Sequence, residues 1–293
     1  MRRAAVLLAL LLGCSATAPS EPSWASVSAT VEVVGEDTYL SFQPVAVTQI
    51  RLEGASPKEK DVEAYGVRGP IEKFDVAEGV IRFKEPTSVA EVILLGTKAP
   101  KIRVSIPAAE RPDPRAKVPD AKTLEELGKF NVTFYWVESE ADYEEEPADT
   151  PLLDDEGKEL GRFPKTFVER VRVEGTGKLR DGRVINTSGK EGRFAVVRCP
   201  NGLGVEEYHL LPFRSVACDK GVVPIGTELY IPAAVGAKLP DGTVHDGHFW
   251  THDVGGGIQG KHLDFFTGAG DQSELLEKAG LKNLEETKVY RVR

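Results

Sequence analysis

Residues 250–266 read WTHDVGGGIQGKHLDFF. The preceding His248 and Phe249 extend this to HFWTHD, whose aromatic and β-branched content is that of a strand ending at Asp253. Three glycines follow at 255–257; they allow the backbone a positive φ or a close approach to another group. A second carboxylate, Asp264, sits between Leu263 and Phe265 in HLDFF, too apolar for a solvated loop and therefore read as a second strand. Two carboxylates brought together by one glycine turn can raise one another's pKa and yield a general acid. The same residues also fit a tight turn with one capping Asp and one satisfied, partly buried Asp, because structural networks perturb carboxylates too.

Working outward, FNVTFYWV at 130–137 alternates, with Val132, Phe134 and Trp136 on one face and Thr133, Tyr135 and Val137 on the other. The acidic stretch from Glu138 to Glu156 lacks the ligand order of a calcium loop and reads as a solvated loop. FVERVRVEGTGKLRDGRVIN reads as a strand, a turn at Gly175-Thr176-Gly177 and a hairpin at Asp181-Gly182. FAVVRC and RSVACDKGVVPIGTELYIP supply further strands and a turn at Pro224–Thr227. QSELLEKAG gives a short helix stopped by Gly280, and KVYRVR a closing strand. Before all this, Val31 to Ile106 is a series of short β-rich runs divided by Gly, Pro and Asp, the pattern of a small β-sandwich over 31–107. It faintly resembles galactose-binding-like sandwiches, without a motif that fixes a ligand. A Pro- and charge-rich linker is expected over 108–127.

The chain opens with MRR and an apolar run too short to span a bilayer as a helix, ending in Leu11-Leu12-Gly13-Cys14. This resembles a bacterial lipobox, which implies a signal peptide over 1–14, lipidation of Cys14 and an outer-membrane lipoprotein facing the periplasm. The small, polar residues 15–30 then read as a flexible tether. A net charge of -9, from 37 Lys+Arg against 46 Asp+Glu, argues against a nucleic-acid surface. Cys199 and Cys218 are expected to form one disulfide in an oxidising compartment, with two buried thiols as the alternative. His245, His248, His252 and His262 crowd the two carboxylates. On a strand, however, His248 and His252 would lie about 13 Å apart at roughly 3.3 Å of rise per residue, too far for shared ligation. No metal and no cofactor is expected.

VVPIGTELYIP followed by HFWTHDVGGGIQGKHLDFF resembles the three-aspartate (3D) domain of cell-wall lytic enzymes, with Asp219, Asp253 and Asp264 as the three aspartates. Including VEGTGKLRDGRVIN and FNVTFYWV, the resemblance covers about residues 128–293. It implies a mainly β chain: a small N-terminal β-sandwich, then a C-terminal six-stranded double-psi β-barrel with short helices. That barrel is similar to the one in the membrane-bound lytic murein transglycosylase A family. The family's catalytic acid maps to Asp253, with Asp219 and Asp264 in orienting and pKa-tuning roles. Val254 stands where the family has Thr, removing a hydroxyl next to the acid, and Gly257 where it has Ala; neither change removes a carboxylate. Substrate contacts are expected from Thr133 and Tyr135, from Gly255 and Gly256, and from Gly175 and Thr176, although a Tyr in such a place is more often a core residue with a satisfied hydroxyl. The expected partner is the peptidoglycan glycan strand, acted on by a monomer held at the membrane by its lipid. The rival readings are a plain glycoside hydrolase and a wall-binding lipoprotein without activity.

Overall fold

A computed structural model of the chain describes residues 22–111 and 118–293. The expected signal peptide, with Cys14, lies outside the described residues. The fold is mainly β. The N-terminal domain is a single antiparallel sheet of eight strands: β1 (Trp24–Val27), β2 (Thr30–Val34), β3 (Asp37–Glu53), β4 (Val62–Gly66), β5 (Gly69–Pro70), β6 (Phe74–Ala77), β7 (Val80–Leu94) and β8 (Arg103–Pro107). β3 and β7 run its full length together, and register shifts between Ser41 and Val45 and between Val47 and Gln49 break their ladder. β2 and β4 pair with one half of this long ribbon, β6 and β8 with the other. Leu40, Val62 and Val92 from one half share a core with Ile50, Ile81 and Val104 from the other. The sandwich is thus one sheet folded over on itself, as bulges allow.

Two expected boundaries move. Trp24–Val27, read as tether, pairs residue for residue with Val104–Pro107, and Arg51 lies 4.0 Å over the Trp24 ring. The linker is shorter than expected, because Leu124–Glu126 already pairs with the C-terminal strand.

The second domain opens with β9 (Leu124–Ser139). An inserted lobe follows: the hairpin β10 (Ala148–Leu153) and β11 (Glu159–Pro164), helix α1 (Lys165–Glu174), then β12 (Thr176–Lys178), β13 (Val184–Thr187) and β14 (Phe194–Val197). FVERVRVE, expected as a strand, is α1. Its buried residues Phe167, Val168, Val171 and Glu174 recur at helical spacing, and Gly175 ends it with φ 85. The acidic stretch is not all solvated either. Glu138 and Glu140 are buried, Glu138 accepting hydrogen bonds from Trp136 Nε1 (2.9 Å) and Tyr143 Oη, and Glu140 one from the Arg180 N–H (2.9 Å).

The chain then returns as β15 (Ser215–Cys218), β16 (Glu228–Tyr230), β17 (His248–Asp253) and β18 (His262–Ala269), the short helix α2 (Glu274–Glu277) and β19 (Glu286–Val292). The ring β9-β18-β15-β17-β16-β19 closes through β19 and β9. Its β9/β18 and β15/β17 neighbours are parallel and the others antiparallel, giving the six-stranded double-psi barrel. Phe130, Val132, Val216, Phe249, Leu263 and Phe265 fill its interior. Cys218 joins them, its thiol donating to Val223 O (3.3 Å), while Cys199 is buried elsewhere and donates to Gly202 O (3.2 Å). The two are free thiols in separate cores, which corrects the expected disulfide.

The domains are packed together. Val67 and Ala90 of the first cluster with Leu211 and Trp250 of the second, and buried Arg214 donates to Gln43 Oε1 (2.7 Å) as well as to His248 O (3.1 Å) and Asp246.

Candidate active site

With Val216, Leu263 and Phe265 pointing into the barrel, their neighbours must point out, since side chains alternate along a strand. Register then builds a row across four strands: Asp253 pairs with Ala217, Ala217 with Asp264, and Asp264 with Thr133. At about 4.8 Å per strand, the two carboxyl-bearing Cα atoms stand about 10 Å apart, with one methyl group between them. Tyr135, two residues beyond Thr133, faces the same way, and its hydroxyl donates to Asp253 Oδ2 at 3.4 Å.

Both carboxyls are pushed up to about 6. For Asp253 the main cause is burial. The N–H of Val254 (to Oδ1, 2.8 Å) and the Tyr135 hydroxyl favour the ionised form, the Asp264 charge opposes it, and the Val205 N–H favours it again. For Asp264 burial again outweighs the Thr133 hydroxyl, which donates to Oδ1 at 2.6 Å. That hydroxyl must accept from His262 Nε2, 2.8 Å away, which fixes the proton on that nitrogen. Burial and the charges of Asp253 and Asp264 push the Tyr135 hydroxyl well above its ordinary range, so it stays a donor.

Asp219 does something other than expected. Its carboxylate accepts N–H bonds from Gly260 (2.8 Å) and Gly221 (2.9 Å), which hold it below the usual carboxylate range. It therefore clamps the far end of the glycine loop and does not tune Asp253. None of Gly255, Gly256 or Gly257 has a positive φ. Gly255 is needed for close approach, because a Cβ there would lie 2.6 Å from Ile258, whereas Gly256 and Gly257 face open space. Val254 is exposed, and what it gives Asp253 is a backbone N–H that Thr would give equally. Gly175 and Thr176 are structural: Gly175 stops α1, and Thr176 is buried, accepting from Asn186 Nδ2 (3.1 Å).

Sequence reasoning missed three contributors. Glu174, at the end of α1, is buried, accepts from Arg170 (2.8 Å) and from the Trp136 N–H (3.3 Å), and is pushed up to about 7 by burial, with the Asp264 charge among the further causes. Asn186 holds Leu203 by both backbone groups (2.9 and 3.1 Å). Leu203 belongs to the strip 202–210, which runs beside Asp253; in it, Tyr208 stacks on His252 with ring centroids 4.7 Å apart. His252 is neutral and structural, donating from Nε2 to Val67 O (2.9 Å) and accepting at Nδ1 from Ser215 (2.8 Å). His245 is bonded to Phe213 O and His248 to Glu228, so His245, His248, His252 and His262 each have a separate partner.

The strip lies so close that a Cβ on Gly204 would sit 2.2 Å from His252 O, although φ -81 suits any residue. Gly204→Ala is therefore expected to cost about 1–3 kcal/mol by overpacking and to displace the Val205 N–H from Asp253. A urea unfolding midpoint equal to wild type would contradict this.

The family model of the 3D domain matches residues 214–290. No curated protein matches the chain. Solved structures similar to it include E. coli MltA with bound chitohexaose (16% identity over 57% of this chain and 72% of that one, TM-score 0.42). Others are a membrane-bound lytic murein transglycosylase from Agrobacterium tumefaciens (16%, 57% and 74%, TM-score 0.40) and LtgG of Burkholderia pseudomallei (17%, 56% and 70%, TM-score 0.32). Residues 214–290, with Asp219, Asp253 and Asp264 in the order first read from the sequence, are a 3D domain.

Proposed function

We propose that this chain is a peptidoglycan lytic transglycosylase that cleaves the bond between N-acetylmuramic acid and N-acetylglucosamine, with Asp253 as acid and then base. The observation that carries the reading is the row Asp253–Ala217–Asp264 on an outer barrel face, with both carboxyls near 6. The 3D-domain match supports it.

Protonated Asp253 donates to the glycosidic oxygen as the C1–O bond breaks, near an oxocarbenium-like transition state. Asp264, in its ionised form, favours the proton on Asp253 beforehand and the positive sugar ring afterwards, and the Thr133 hydroxyl is its hydrogen-bond donor. Asp253, now ionised and held by the Val254 and Tyr135 donors, takes the proton of the muramyl C6 hydroxyl. O6 then bonds to C1, giving a 1,6-anhydro ring without water. The proposal includes export and a lipid anchor at Cys14, which would keep this face in the periplasm.

The chemistry sets a pH dependence. Only protonated Asp253 starts the reaction, so kcat/KM is expected to fall about tenfold per pH unit above about 6. A profile flat from about pH 5 to 8 would sink the assignment of Asp253 as the acid.

A further inference from the structure

Away from the carboxylate row, Glu91 of β7, Cys199 and His209 bring a carboxylate oxygen, a thiol sulfur and an imidazole nitrogen within 4.8 Å of one another. Glu91 and Cys199 are buried, and only about a tenth of the His209 side chain is exposed. His209 Nδ1 is hydrogen-bonded to Glu91 Oε2. From these contacts we infer a binding site for a zinc-like divalent transition metal at the junction of the two domains, with Glu91, Cys199 and His209 as its protein ligands.

Several independent features fit. One sulfur, one imidazole and one carboxylate are the ligand types zinc takes, and three protein ligands with a free fourth position make an open tetrahedral site. Bonds of about 2.0–2.3 Å in a tetrahedron put the donor atoms about 3.3–3.7 Å apart, so modest side-chain movement closes the set. The metal takes the place of the proton now shared by His209 and Glu91. The turn Cys199-Pro200-Asn201-Gly202 is closed by a Gly202 N–H to Cys199 O bond (3.1 Å) and needs φ +81 at Gly202. It places the Cys199 thiol against Gly202 O, to which it donates at 3.2 Å, and a metal-bound sulfur would release that proton. The outer contacts are in place as well. The Ser41 hydroxyl donates to Glu91 Oε1 at 3.2 Å, leaving Oε2 for the metal, and the Tyr65 ring stacks on His209 at 3.8 Å, fixing its plane. A cleft of about 570 Å³, lined by Tyr65, Arg68, Arg198, Tyr208 and His209 among others, gives an ion and a fourth, water ligand a way in.

The site joins β7 of the first domain to both ends of the strip that lies beside Asp253. Metal binding therefore fixes the position of the N-terminal domain against the barrel and steadies the Val205 N–H.

The test is titration of the reduced full-length chain, in detergent, with Co²⁺ as a spectroscopic substitute for zinc. The expected result is one equivalent bound, with a near-ultraviolet thiolate-to-cobalt charge-transfer band and visible bands of tetrahedral intensity. Zn²⁺ should abolish them, and a saturating excess of it should raise Tm by on the order of 5 °C. Cys199→Ser is expected to remove the charge-transfer band, Cys218→Ala to keep it, and His209→Gln to weaken binding at least tenfold. No charge-transfer band in the wild type would overturn the proposal whatever the variants do, as would an unchanged band in Cys199→Ser.

Discussion

Asp253→Asn is expected to lower release of 1,6-anhydro products by a factor of about 10²–10⁴, the usual worth of a positioned acid–base group, and at the same time to stabilise the fold. The two effects have one cause. Moving the folded-state carboxyl from its ordinary 3.8 up to about 6 means that burial opposes ionisation by up to about 3 kcal/mol, at 1.36 kcal/mol per unit. The sign follows from linkage: a carboxyl raised in the folded state costs nothing below the unfolded pKa, and it costs progressively more as pH rises through the folded value. Asn, neutral throughout, should match wild type near pH 4 and exceed it by up to about 3 kcal/mol above pH 6. Denaturant unfolding at both pH values reads this directly. Equal stabilities at pH 7 would mean that Asp253 is not held in a desolvated place. An acid kept at a cost to stability is what a functional site looks like.

The second large effect is at the domain junction. Asp246→Ala leaves the Arg214 guanidinium, 6% exposed, without its carboxylate, and only Gln43 Oε1 and His248 O remain as acceptors. Removing one partner of a fully buried pair costs about 3–5 kcal/mol. Asp246 is partly open to water, so about 2–3 kcal/mol is expected here. Burial pushes the Asp246 carboxyl up, but Arg214 outweighs it and holds the carboxyl below its usual range. The contribution is therefore present at neutral pH and lost as pH falls below the ordinary carboxylate value. Arg214 bridges both domains, so the loss should appear in the main unfolding transition. A separate early transition of the N-terminal domain would contradict the view that the domains are packed as one.

Where local pattern and final structure agree, the reason is that one interaction dominated. HFWTHD and HLDFF are strands because alternate residues fill the barrel, and the same alternation put Thr133 and Tyr135 on the carboxylate face. Where they disagree, a tertiary partner decided. FVERVRVE alternates well enough for a strand, and the lobe core around Phe167 and Val171 selected the helix. Trp24–Val27 looked like tether until an edge of the sheet was available to pair with it. Asp219 belongs to the three-aspartate signature, yet two glycine N–H groups claim its carboxylate, a fact held in loop geometry alone. Glu174, Asn186 and the Glu91–Cys199–His209 group were illegible because no motif joins residues so far apart. Only the closure of the barrel and the docking of the sheet bring them to their partners.

The most direct test of the central claim is mass spectrometry of the soluble products released from purified sacculi. The chain would begin at Ser15, which keeps every described residue, and Asp253→Asn would be run beside it. The account predicts 1,6-anhydromuropeptides from the wild type and none above background from the variant. Reducing-end products from the wild type would contradict it and make the enzyme a hydrolase. Equal anhydro yields from both proteins would remove Asp253 from the chemistry. Sacculi that bind the protein but release nothing would leave a wall-binding lipoprotein.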